Sequence, residues 1–201
     1  MKLDPFYLIV DSAAWIERLV PLGVKLVQLR IKDEDEASLR REIRAAKAIC
    51  DRHGCQLIVN DYWRLAIEED CDFVHLGQED LAEADMKAIR RAGLKLGLST
   101  HDDAELETAL QAEPDYVALG PIYPTILKAM KWAPQGLDRI AIWKQRVGAL
   151  PLVAIGGLTV ERIAGVFAQG AQCAAVVTDV TRNAHPEARA LAWLAATAQW
   201  R

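Results

Sequence analysis

The chain has 201 residues, 52% of them hydrophobic and 26% charged, and 24 basic against 28 acidic residues leave a net charge of −4. That length suffices for one hydrophobic core without disulfides or a structural metal, and the acidic balance argues against a broad basic surface for nucleic acid or an anionic membrane. Cys50, Cys55, Cys71 and Cys173 show no CxxC or paired metal-ligand spacing and read as reduced thiols of a cytoplasmic protein.

The first apolar run, residues 6–10, follows Asp4 and Pro5 and is too short for the apolar region of a signal peptide. Similar runs rich in Val, Ile and Leu recur at 24–29, 56–60, 72–76, 95–99, 115–120, 151–156 and 173–178, with helix-patterned stretches between them. In 36–52, for example, Leu39, Ile43, Ala46 and Ile49 repeat at three- and four-residue spacing, while Arg40, Arg41, Arg44 and Lys47 take the other face. Eight such βα units predict an α/β fold, a (β/α)₈ TIM barrel, as a single domain over 1–201. An open doubly wound sheet is the alternative; against it, no GxGxxG follows the first run, which continues as Asp11-Ser12-Ala13-Ala14. The segment 121–136, with three prolines, Lys128, Lys131 and Trp132, is long for a connection and reads as a lid. The uncharged stretch 163–178 is broken by Gly165, Gln169, Gly170 and Gln172 and will not span a bilayer. A final helix over 186–200, alanine-rich and Trp-bearing, leaves a homo-oligomer open.

In a parallel barrel the active face lies at the carboxyl ends of the strands, so the residues that close each run matter most. The second run ends with Gln28, Arg30 and Lys32 on one face by the period of two. The third ends in Asn60-Asp61, the fourth leads through His75 to Asp80, and the fifth ends in Ser99-Thr100-His101. Thr125 and Lys128 follow the sixth, Gly156-Gly157 close the seventh, and Val177-Thr178 the eighth. Arg30, Lys32 and Lys128 are phosphate partners by chemistry. Asp61 and Asp80 are hard oxygen ligands of the kind that hold Mg²⁺ together with substrate phosphates. Bare glycine backbone at the seventh strand suits a second phosphate.

Singly, each residue has a simpler reading. Asp61 would cap the next helix, Lys128 would be a solvated charge, Gly156-Gly157 a tight turn, and His75 and His101 hydrogen-bonded histidines with no zinc-ligand spacing. Those readings leave unexplained why acids, bases, Asn, Gln and Ser coincide at matching ends of successive strands.

From about Tyr7 to Thr181 the chain resembles the thiamine phosphate synthase family. Gln28 to Lys32 is similar to its QLRxK, Val59-Asn60-Asp61 to (I/V)ND, Val74 to Asp80 to VHLGQxD, and Gly97 to His101 to GxSxH. Leu119-Gly120-Pro121 with Tyr123-Pro124-Thr125 and Lys128 resembles LGPxFPTxTK, and Ala154 to Gly157 resembles AIGG. The resemblance implies a transferase that joins 4-amino-5-hydroxymethyl-2-methylpyrimidine diphosphate to a thiazole phosphate with Mg²⁺, giving thiamine phosphate and diphosphate through a dissociative step. Carried over by position, Gln28, Arg30, Lys32, Asn60, Ser99 and Lys128 would hold the pyrimidine diphosphate, with His101 beside them, and Asp61 and Asp80 the Mg²⁺. Thr125, Gly157, Val177 and Thr178 would hold the thiazole phosphate. Arg30, Lys32, Ser99 and Lys128 are then the catalytic set, and the partners are small molecules rather than nucleic acid or membrane.

The pattern departs at Leu127, which stands where the family has a second threonine on the thiazole side. Leu127 is the support for a non-catalytic phosphate-binding barrel. A thiazole tautomerase is the other alternative, and it uses no diphosphate substrate, so Arg30, Lys32, Asn60, Asp61 and Asp80 have no purpose under it.

Overall fold

A computed structural model describes residues 2–125 and 132–201. In chain order it contains β1 (Phe6–Val10), α1 (Ala13–Leu19), β2 (Leu26–Leu29), α2 (Glu36–His53), β3 (Gln56–Asn60), α3 (Trp63–Glu68), β4 (Phe73–Leu76), α4 (Gln78–Glu83) and α5 (Met86–Arg91). There follow β5 (Lys95–Thr100), α6 (Asp103–Gln111), β6 (Tyr116–Leu119), α7 (Gly136–Val147), β7 (Leu152–Ile155), α8 (Ile163–Ala168), β8 (Cys173–Val176), α9 (Thr178–Thr181) and α10 (Pro186–Thr197). Each strand pairs in parallel with the next, and β8 closes on β1 through Phe6↔Ala174, Tyr7↔Ala175 and Leu8↔Val176. This is the (β/α)₈ barrel that the spacing of apolar runs predicts, and the open sheet is excluded.

The strands are apolar on both faces because both faces are covered. Along β1, Phe6, Leu8 and Val10 pack outward under the helices, while Tyr7 and Ile9 face the barrel axis with Leu26, Ile58, Phe73 and Tyr116. Continued along β2, the same alternation sends Gln28, and beyond it Arg30, toward the axis side. The helices seal the outside. In α2, Asp35 caps the N-terminus by accepting the Ser38 N–H at 3.0 Å, and Gly54 ends the helix in the left-handed region at φ 57°. The stripe predicted for this helix, Leu39, Ile43, Ala46 and Ile49, is buried, each large aliphatic contributing roughly 1.5–3 kcal/mol. Two tryptophans pin later helices: Trp143 Nε1 donates to Thr100 Oγ1 at 2.9 Å, and Trp193 stacks on Phe6 with centroids 5.4 Å apart.

Several predicted ends shift by one to three residues, two of them near the C-terminus. The eighth run stops pairing at Val176, because Thr178 already opens α9, and the last helix ends at Thr197 and tightens into a 3₁₀ turn over Ala198–Trp200. Within the segment read as a lid, 126–131, and with them Leu127 and Lys128, lie outside the described residues. No helix among the described residues is long and apolar enough to cross a membrane.

Candidate active site

At the carboxyl ends of the strands lies a cavity of about 540 Å³ to which all eight strands or the loops after them contribute. The structure brings to its wall Gln28, Arg30, Lys32, Asn60, Asp61, Asp80, Ser99, His101, Thr125, Gly157, Val177 and Thr178. Every site residue singled out in the sequence is therefore here except Lys128, which lies outside the described residues.

Charge is arranged unevenly around this wall. Arg30, half-buried, makes no side-chain hydrogen bond or ion pair among the described residues, so its guanidinium faces the cavity with its donors unspent. Lys32 pairs with Oδ2 of Asp61. Asp61 does not cap α3, whose N-cap is Tyr62; it sits in the left-handed region at φ 64° with its N–H donated to the His75 carbonyl at 2.8 Å. Aspartate tolerates that conformation better than most residues, and the side chain is thereby turned to the mouth instead of to the helix. Asp80 does serve its helix, Oδ2 accepting the Gly77 N–H at 3.2 Å. Burial and the neighbouring Asp61 carboxylate push the Asp80 pKa upward. Two neighbouring carboxylates at the same rim as an unspent guanidinium are a fitting seat for a divalent cation with a bound phosphate. Among the described residues no cluster of three or more His, Cys, Asp or Glu is placed to hold a metal. A hard cation here would draw its remaining ligands from substrate and water, the habit of Mg²⁺.

The glycine pair after β7 combines its two readings. Gly156 and Gly157 have φ of 99° and 65°, and a Cβ on Gly157 would lie 2.5 Å from the Pro124 carbonyl oxygen. Close packing against the loop after β6 thus demands glycine, and the same backbone lines the cavity.

Sequence reasoning named Gln28, His75, Ser99 and His101 but missed the residues that join them, Tyr7 and Tyr116 on the floor and Glu105 and Trp132 on one wall. Gln28 Nε2 donates to the Tyr7 hydroxyl at 2.8 Å, Tyr7 and Tyr116 hydroxyls lie 3.0 Å apart, the Tyr116 hydroxyl is 2.7 Å from His75 Nδ1, and His75 Nε2 is 2.8 Å from Ser99 Oγ. Gln78 Nε2 donates to the Ser99 carbonyl at 2.7 Å. Burial lowers the His75 pKa to about 4, so the ring is neutral at pH 7. On the wall, His101 stacks on Trp132 at 4.0 Å between centroids and bonds Glu105 through Nδ1 at 2.7 Å. The four-residue step from His101 to Glu105 is a visible signal; nothing in the spacing marks Trp132 or Tyr116.

A family model described as thiamine monophosphate synthase matches residues 6–180. The chain is 73% identical over 201 residues to a thiamine-phosphate synthase of Rhizobium etli, covering 100% of this chain and 98% of that protein. It is 49% identical over 193 residues to a thiamine-phosphate synthase of Salmonella enteritidis, covering 96% and 88% of the two chains. Among solved structures, a thiamine phosphate pyrophosphorylase from Pyrococcus furiosus superposes with a TM-score of 0.87 at 20% identity, covering 98% of this chain and 96% of that one, a likeness of fold.

Proposed function

The chain belongs to the thiamine monophosphate synthase family, and on that premise we propose how its barrel mouth makes thiamine phosphate. The chain is an enzyme, a transferase acting on small molecules. The pyrimidine diphosphate binds across β2 to β5, with Arg30 and Lys32 on the diphosphate and Gln28, Asn60, Ser99 and His101 around the pyrimidine and its linking oxygen. Asp61 and Asp80 would hold Mg²⁺, which when bound neutralises charge on the diphosphate. The thiazole phosphate takes the opposite side, at Thr125, Gly157, Val177 and Thr178.

In the reaction the C–O bond between the pyrimidine methylene and diphosphate breaks, its electron pair leaving with diphosphate. The methylene cation is then captured by the thiazole nitrogen. Negative charge grows on the leaving group, so fixed positive charge lowers this barrier and no general base is required. Arg30 supplies such charge without having to surrender an existing partner. Lys32 must be shared between Asp61 and diphosphate. Lys128 joins this set on the resemblance of its motif. Exclusion of water from the mouth would also protect the cation.

The observation that carries this reading is the coincidence of an unspent guanidinium and two neighbouring carboxylates, Asp61 and Asp80, at one rim. The tautomerase alternative leaves that trio without a purpose, and the non-catalytic alternative rests on Leu127, outside the described residues. The four free cysteines support a cytoplasmic location. Calorimetry tests the site: the pyrimidine diphosphate should bind with Mg²⁺ and lose at least ten-fold in affinity without it or in Asp61→Asn. Equal affinity in all three would remove the metal from Asp61.

A further inference from the structure

Tyr7, Tyr116 and His75 take no part in the chemistry above, yet they are 1%, 0% and 8% exposed and bonded in line between two residues that do, Gln28 and Ser99. A phenol has one O–H to give, and a neutral imidazole has one N–H and one bare nitrogen. In an unbranched chain of such groups, the direction of one bond therefore dictates the rest.

Two directions satisfy the chain. In the first, Gln28 donates to Tyr7, Tyr7 to Tyr116, Tyr116 to His75 Nδ1, and His75 Nε2–H to Ser99 Oγ. In the second every proton is reversed and the Gln28 amide is turned over to accept. The first leaves the Ser99 proton, the Gln28 carbonyl oxygen and one Gln28 N–H for the cavity; the second leaves Ser99 only lone pairs. A diphosphate offers only acceptors, and the edge of an aminopyrimidine offers a donor beside an acceptor. Both match the first direction. The space for the chain is built in, because a Cβ on Gly97 would stand 2.1 Å from Tyr116 Cζ.

We propose that Tyr7, Tyr116 and His75 are positioning residues, a buried one-way hydrogen-bond chain that fixes His75 as its Nε2–H tautomer. The chain thereby makes Ser99 a donor to the pyrimidine diphosphate and holds the Gln28 amide in one of its two orientations. The identity of the acceptor rests on the proposed activity; the direction of the chain belongs to the protein alone.

Long-range ¹H–¹⁵N spectra of histidine-labelled protein, ligand-free at pH 7, read the tautomer directly, with the His75 signals identified by their loss in His75→Gln. The expected pattern is a bare Nδ1 and a protonated Nε2. In kinetics, Ser99→Ala should lower kcat about 100-fold. Tyr116→Phe, which keeps the ring and removes the hydroxyl, should lower it about 10-fold, or about 1.4 kcal/mol. Because Tyr116 acts through Ser99, the double variant should be no more than about two-fold slower than Ser99→Ala. A protonated Nδ1 in an active enzyme, or fully additive losses, would overturn the chain alone. A protonated Nε2 in a protein that never releases diphosphate would support the chain and sink the activity.

Discussion

Gly97 ties the fold to the site, and replacing it with alanine should be among the most damaging single methyl additions to this barrel. The new Cβ would lie 2.1 Å from Tyr116 Cζ, 2.3 Å from Cε1 and 2.5 Å from the hydroxyl, where ordinary contact begins at 3.4 Å. The ring must retreat by more than an ångström into an interior filled by Tyr7, Phe73 and His75, whose ring centroids lie 6.2, 5.6 and 5.6 Å from its own. Overpacking of this kind costs about 1–3 kcal/mol, and losing the two hydrogen bonds of the Tyr116 hydroxyl adds about 1 kcal/mol each. The sum, about 3–5 kcal/mol, would lower Tm by roughly 6–20 °C in a chain of this size. Urea unfolding followed by tryptophan fluorescence measures it. Gly54→Ala is the control: nothing lies within 4 Å of its Cβ, and only its φ of 57° opposes substitution, a cost of about 1 kcal/mol. A loss below 1 kcal/mol in Gly97→Ala would refute the packing described for the barrel interior.

Three further outcomes are expected. Arg30→Ala should lose about 3–4 kcal/mol of barrier lowering, seen as a fall of roughly 10²- to 10³-fold in kcat/KM with unchanged unfolding; a fall under three-fold would take Arg30 out of the diphosphate site. Asp61→Asn, chosen because asparagine accepts the left-handed backbone that alanine resists, should abolish Mg²⁺-dependent turnover while circular dichroism stays native, and retained turnover would contradict its role. The third concerns pH. His75 titrates near 4 in the folded chain against 6.5 when free, so the unfolded chain takes up its proton first as pH falls. Its contribution to stability is whole above about pH 6.5 and is lost progressively down to pH 4, up to about 3 kcal/mol. Denaturation of wild type and His75→Gln at pH 7, 5 and 4 should show the variant to be less pH-sensitive by that amount; identical pH dependence would contradict it.

The barrel was legible because strands buried on both faces read as short continuous apolar runs, and eight of them at near-regular spacing leave few other closures. The rim of the site was legible for a related reason: once the strand ends are placed, Arg30, Lys32, Asn60, Asp61 and Ser99 fall on one face of the molecule by chain direction alone. The interior chain was not legible. In a run apolar on both faces nothing tells an axis-facing Tyr7 from an outward-facing Phe6, and only closure of the barrel sets β1, β4 and β6 across from one another. Asp61 shows the limit of local rules, since a helix cap and a carboxylate facing the mouth look alike until the structure places Tyr62 at the helix start and turns Asp61 to Lys32. Trp132 meets a histidine far upstream, a contact that no local period encodes.

The most direct measurement is a single turnover with enzyme in excess over the pyrimidine diphosphate, thiazole phosphate present, and both products quantified. We expect one diphosphate released for each thiamine phosphate formed, no reaction after chelation of Mg²⁺, and full recovery when Mg²⁺ is returned. Pyrimidine diphosphate that remains intact with both substrates and Mg²⁺ present would contradict the assignment of this barrel mouth to thiamine phosphate synthesis.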